Sequence, residues 1–102
     1  AARVAECIEE EYSNENLNLD MIADRLRLSP NYVGRLFRKE TGKSVSAYLV
    51  EYRLKKAVEY MKESNISMKL LIDKIGFVSE SNFYKQFKKY YGITPSEYRK
   101  LN

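Results

Sequence analysis

No histidine occurs among the 102 residues, and cysteine appears once, at Cys7. Without histidine, neither Cys7 nor any serine has its usual general base, which argues against nucleophilic hydrolysis. There is no glycine-rich phosphate loop and no carboxylate cluster suited to a metal, so an enzyme, a cofactor and a metal site are all disfavoured. A single thiol cannot close an intrachain disulfide; that fits a reducing, cytoplasmic compartment, and Cys7 reads as a small core residue. Long apolar runs are missing too. Nothing approaches the roughly 18 to 20 residues of a membrane span, and no signal-peptide pattern opens the chain. Helix breakers are scarce: two prolines, Pro30 and Pro95, and four glycines at 34, 42, 76 and 92. With no clean period-2 run either, an all-α domain is expected.

The charge that is present is unevenly placed. The chain is 31% charged, with a net +4. Residues 1–28 carry three basic and seven acidic side chains, whereas residues 29–102 carry fifteen basic and seven acidic ones. A basic region of this kind points to a polyanionic partner more strongly than the total does.

Seven helices are predicted. Val4, Ile8 and Tyr12 mark a short first helix that ends in SNEN. Asn18 caps a second, with Ile22, Ala23 and Leu26 on one face; Ser29 and Pro30 open a third that stops at Gly42. From Ser44 or Val45 to about Ser64, apolar residues keep helical spacing, enough for a helix of about 30 Å. Ser67 caps a fifth helix that ends near Gly76, Ser79 caps a sixth that ends at Gly92, and Pro95 opens a seventh through Tyr98.

The chain also repeats itself. Ala23, Leu26 and Leu28 align with Ile72, Ile75 and Phe77 at an offset of 49, and Phe37, Gly42 and Tyr48 with Phe87, Gly92 and Tyr98 at an offset of 50. Each copy reads as capped helix, tight turn, capped helix and glycine stop. That is the helix-turn-helix pattern, in which the second helix enters the DNA major groove. The expected architecture is two homeodomain-like helix-turn-helix subdomains, residues 1–43 and 65–102, joined by a linker helix over 44–64.

Ala23, Leu26, Leu28 and Ser29, then YVGRLFRKETG from Tyr32, Tyr48-Leu49, Arg53-Leu54, Ala57, and finally Gly76-Phe77 through Phe83, Phe87-Lys88-Lys89, Gly92, Thr94-Pro95 and Tyr98-Arg99 carry a resemblance. Together they resemble the AraC/XylS-type DNA-binding domain of bacterial transcription regulators, over nearly the whole chain. The opening stretch and SPNYVGRLFRKETG are most similar to YesN-type response regulators of two-component systems, which carry this domain behind a phosphorylatable receiver. Two positions depart from the pattern. Ile72 stands where the family has a small alanine, and Leu70 where it has a polar residue; a larger side chain at the helix crossing shifts the second reading helix or is absorbed by repacking.

The resemblance implies sequence-specific binding of double-stranded DNA at an asymmetric promoter site. It further implies an N-terminal sensor or receiver domain in a longer regulator, RNA polymerase as a candidate partner, and no cofactor. The family's base-reading positions fall on Asn31, Tyr32, Gly34 and Arg35 in the first recognition helix and on Glu80, Ser81, Tyr84 and Lys85 in the second. Helical arithmetic at about 100° per residue agrees with that placement. Val33 and Phe37 turn inward while Asn31, Arg35 and Arg38 turn outward; Phe83, Phe87, Tyr90 and Tyr91 cluster inward, opposite Ser81, Lys85, Lys88 and Lys89.

Arginine and lysine suit guanine and asparagine suits adenine, so Asn31, Arg35 and Lys85 are the leading base readers. Glu80 either accepts from cytosine or serves the helix dipole. Arg38, Lys39, Lys88 and Lys89 are candidate phosphate contacts, as are the amides at Leu19 and Met68. Phe83, Tyr90 and Tyr91 are expected in the core, and Arg53 and Arg99, at positions typical of the family, in internal ion pairs more than on DNA. The rival readings are a basic helical module that binds protein or a membrane surface, and an RNA-binding one; the first shows no dependence on base sequence and the second prefers single strands.

Overall fold

Six helices begin on a side chain placed to receive them, five of these on asparagine or serine. Asn18, Ser29, Ser44, Ser67 and Ser79 each accept the backbone amide three residues on, at 2.9 to 3.3 Å. Each satisfies a donor that has no partner within its own helix, which stabilises by about 1 kcal/mol. The structure, a computed structural model, describes residues 1–101; among them there are seven helices and no strands. They are α1 (Ala2–Glu11), α2 (Leu19–Leu26), α3 (Pro30–Thr41), α4 (Val45–Glu63), α5 (Met68–Lys74), α6 (Glu80–Tyr91) and α7 (Pro95–Leu101).

The ends repeat as closely as the starts. Gly42 and Gly92 close α3 and α6 at φ 78° and 79°, and each returns its amide to the carbonyl four residues back at 2.8 Å. The turn of the first unit passes through Arg27 at φ 59° and that of the second through Gly76 at φ 86°. Leu28 therefore matches Phe77 and Ser29 matches Ser79. The extra residue of the second turn is Val78, whose side chain is exposed.

Two cores result, and α4 belongs to both. Its Val45 and Leu49 pack with Ile8, Ile22, Ala23, Val33 and Phe37. Its Leu54, Ala57 and Met61 pack with Leu71, Ile72, Ile75, Phe77, Phe83 and Phe87. Cys7 lies buried in the first core as a free thiol, and burial pushes its pKa up, away from reactivity. Tyr12, just past α1, packs against both cores. The molecule is elongated, 43 by 22 by 22 Å.

Several expectations are corrected. Tyr90 and Tyr91 share the inward arc of α6 by angle, yet they are 39% and 40% exposed. They occupy the last turn, where the helix runs past the core: Tyr91 sits 4.7 Å from the ring of Phe87 at its edge, and Tyr90 borders a cleft with Glu51, Leu54 and Lys55 of α4. Phe83 is fully buried as expected.

Arg53 and Arg99 make no ion pair among the described residues. Arg53 donates to the carbonyls of Tyr12 and Asn14, and Arg99 to that of Ile66. Chain segments past α1 and before α5 leave carbonyls without helical partners, and a guanidinium reaches them from the neighbouring helix. The last helix continues beyond Tyr98 to Leu101, started by a reciprocal pair in which Glu97 accepts the Thr94 amide and the Thr94 hydroxyl accepts that of Glu97. Ile72 is buried with Ile75 and Phe83, and α5 packs less extensively on α6 than α2, with Ala23, packs on α3.

Candidate nucleic-acid interface

Each second helix of a unit is anchored by two rings or branched chains four residues apart. Val33 and Phe37 fix α3, and Phe83 and Phe87 fix α6, all almost fully buried. That fixes which residues face outward. Asn31, Tyr32, Arg35, Arg38 and Lys39 are exposed on α3; Glu80, Ser81, Lys85, Lys88 and Lys89 are exposed on α6. At an offset of 50, Asn31 corresponds to Ser81, Arg35 to Lys85, Arg38 to Lys88 and Lys39 to Lys89. A hydrogen-bonding side chain and three cations thus hold equivalent outward places in both units.

The cations differ in what holds them. Arg25 bridges Glu10 and Glu11 of α1 at 2.5 Å each, and the two carboxylates raise its pKa further. Lys43 pairs with Glu51 and Lys56 with Glu59. By contrast, Arg35, Arg38, Lys39, Lys85, Lys88 and Lys89 have no carboxylate within 4.0 Å among the described residues. These six donors are free to meet an external anion without first breaking an internal pair.

The remaining expected site residues fall into place with different exposures. Tyr32 is 47% exposed at the start of α3, where the Ser29 cap holds its amide. Tyr84 is half-buried, its ring edge-on to Phe83 at 5.6 Å, so only part of it faces outward. Its counterpart is Gly34, where an added Cβ would meet only Leu19 at an ordinary 3.5 Å. Space therefore does not require glycine there. Glu80 lies exposed in the first turn of α6, where a carboxylate favours the helix dipole. At Leu19 and Met68 the caps Asn18 and Ser67 occupy one amide of each helix start, those of Met21 and Leu70.

One cluster escaped the sequence reading. Arg53 is 8% exposed, and Gly76 lies against the backbone of Tyr12 and Ser13 beside it. The signal was present: Arg53 lies four residues from both Leu49 and Ala57, so it interrupts the buried stripe of α4.

Two helix-turn-helix units in one chain, each with an outward basic second helix, define a double helix-turn-helix domain of the DNA-binding kind. A family model described as "Helix-turn-helix domain" matches residues 22–101, and the chain belongs to the AraC-type helix-turn-helix family of transcription regulators. It is 37% identical over 102 residues to the transcriptional regulatory protein YesN of Bacillus subtilis, a match covering 97% of this chain and 28% of YesN. Among solved structures it is similar to the C-terminal domain of the two-component response regulator yesN from Fusobacterium nucleatum. That match has a TM-score of 0.89 at 31% identity and covers 94% of this chain and 93% of the other. The DNA-binding domain of AdpA, solved in complex with a target DNA, shares the fold at 24% identity, with a TM-score of 0.91 over 98% of this chain and 89% of that one. The chain spans 12 to 35% of the length of the first curated relatives it matches.

Proposed function

We propose that the chain is the sequence-reading output domain of a larger transcription regulator, with α3 and α6 reading successive major grooves of one asymmetric duplex site. The observation that carries this is the matched register of unpaired cations on α3 and α6. In this reading residues 1–43 and 65–102 are the reading subdomains and α4 sets their separation. Asn31, Tyr32, Arg35, Glu80, Ser81, Tyr84 and Lys85 contact bases, and Arg38, Lys39, Lys88 and Lys89 contact phosphates.

Grooves on one face of B-DNA recur about every 34 Å, so the DNA bends where two helices on a domain 43 Å long sit closer than that. The similarity to the response regulators supports an N-terminal receiver as the source of the signal, with RNA polymerase met at the promoter and the cytoplasm as the place of action. No helix among the described residues is long and apolar enough to cross a membrane.

The test is selection of duplexes from a random pool at several salt concentrations. A specific regulator enriches a site with two separated segments of fixed sequence. Equal recovery of all duplexes refutes the reading in favour of a general basic module.

A further inference from the structure

The side chain at the middle of α4 touches two other parts of the molecule. Arg53 Nε donates to the Tyr12 carbonyl and Nη2 to the Asn14 carbonyl, each at 2.9 Å, across 41 and 39 residues. Its guanidinium also lies 6.0 Å from the centre of the Phe77 ring, in the turn that leads into α6. Tyr12 and Asn14 follow α1 of the first unit, and Phe77 belongs to the second. One buried cation therefore joins the segment after α1 in the first unit to the turn of the second.

The joint is close from both sides. Gly76, at φ 86°, rests on this segment so tightly that a Cβ there would collide with the Tyr12 carbonyl oxygen and lie 3.1 Å from Ser13 C and 3.2 Å from Arg53 Nε. The Tyr12 ring packs into both cores, edge-on to Tyr52 at 5.2 Å. No carboxylate neutralises Arg53 among the described residues, so only carbonyl dipoles and a ring face meet its charge. Burial depresses its pKa, but a guanidinium stays protonated. A side chain that costs this much to bury and has no charge partner is suited to holding a geometry.

Geometry gives the reason such a clamp matters. A single helix, about 28 Å long for its 19 residues, runs through both cores and fixes their separation along its axis, while rotation about that axis and bending along it remain soft. A second attachment away from the axis removes that freedom. We infer that Arg53 is a positioning residue that holds the bend and rotational phase between the two recognition helices, and so narrows the spacing between DNA segments that the domain accepts. This rests on the reading of α3 and α6 as recognition helices, but the clamp itself can be measured without DNA.

Two measurements test it, on Arg53→Met, which keeps length and loses the donors, and on Arg53→Lys, which keeps the charge but offers a single donor atom. First, spin labels at Asp24→Cys on α2 and Asp73→Cys on α5, with Cys7→Ala, report the distance between units by pulsed electron resonance. The parent shows one narrow distribution; Arg53→Met broadens it at unchanged far-ultraviolet circular dichroism, and Arg53→Lys broadens it less. An unchanged distribution in either variant that folds overturns the inference.

Second, affinities are measured for the selected site with one or two base pairs added or removed between its segments. Two base pairs move the second segment by about 7 Å and about 70°. The parent loses more than about tenfold for that change, and each Arg53 variant flattens the profile while binding single-segment duplexes as the parent does. A variant that keeps the parent's spacing profile overturns the inference. A parent that selects no sequence instead sinks the DNA-reading function, and the distance measurement still decides whether Arg53 clamps the units.

Discussion

Ala23 and Ile72 hold equivalent places in the two units, 49 residues apart, and each is buried in the core of its own unit. The small residue goes with the more extensive packing of α2 on α3. Exchanging the sizes is therefore asymmetric. Ala23→Ile overpacks a tight crossing and is expected to destabilise by about 1 to 3 kcal/mol; Ile72→Ala leaves a cavity and is expected to cost about 2 to 5 kcal/mol. Urea unfolding at constant slope measures both, and a neutral Ala23→Ile shows that the first crossing has room.

Gly76 and Gly92 have similar positive φ, 86° and 79°, and opposite surroundings. A Cβ at Gly92 meets nothing within 4 Å, whereas at Gly76 it meets backbone. Gly92→Ala is expected to cost about 1 to 2 kcal/mol from the left-handed conformation alone. Gly76→Ala should cost clearly more, because Tyr12 and Ser13 must move as well. Equal losses in chemical denaturation contradict the close docking of the second turn on the end of α1.

Lys88 is exposed on the outward face of α6 and forms no ion pair among the described residues. In its proposed role as a phosphate contact it would add affinity without choosing sequence. Lys88→Ala is expected to weaken specific and scrambled duplexes by the same factor and to lower the slope of log K against log salt by about 1. A loss confined to the selected sequence reassigns Lys88 to base reading.

Glu97 accepts the Thr94 backbone amide, and that hydrogen bond, reinforced by the Thr94 side chain, holds its carboxyl below the ordinary glutamate value. The folded-state pKa is the lower one. The stabilisation is therefore complete above the ordinary glutamate pKa and disappears as pH falls through the depressed value. Carbon-detected NMR titration of Glu97 should show the low midpoint, and Glu97→Gln should remove this part of the acid sensitivity of α7. A midpoint at or above the ordinary value contradicts the capping pair.

Helix starts were readable in the sequence because Asn18, Ser29, Ser67 and Ser79 act locally, three residues from the amides they receive. The inward positions Val33, Phe37, Phe83 and Phe87 were readable because helical angle decides burial in the middle of a helix. Angle does not decide it at the end, which is why Tyr90 and Tyr91 came out exposed. The partners of Arg53 and Arg99 were not readable. They are backbone carbonyls 33 to 41 residues away, and carbonyls carry no sequence signature. The closeness of Gly76 to Tyr12 was hidden for the same reason, since a glycine stop looks alike whether it faces solvent or another chain segment.

Guanine methylation interference on the selected duplex tests the two-reader arrangement most directly, because the N7 position it blocks lies in the major groove. The expected result is two clusters of interference on one face of the duplex, about one helical turn apart, with Arg35→Ala erasing one cluster and Lys85→Ala the other. A single cluster, or two that both survive these substitutions, contradicts the assignment of α3 and α6 as paired readers.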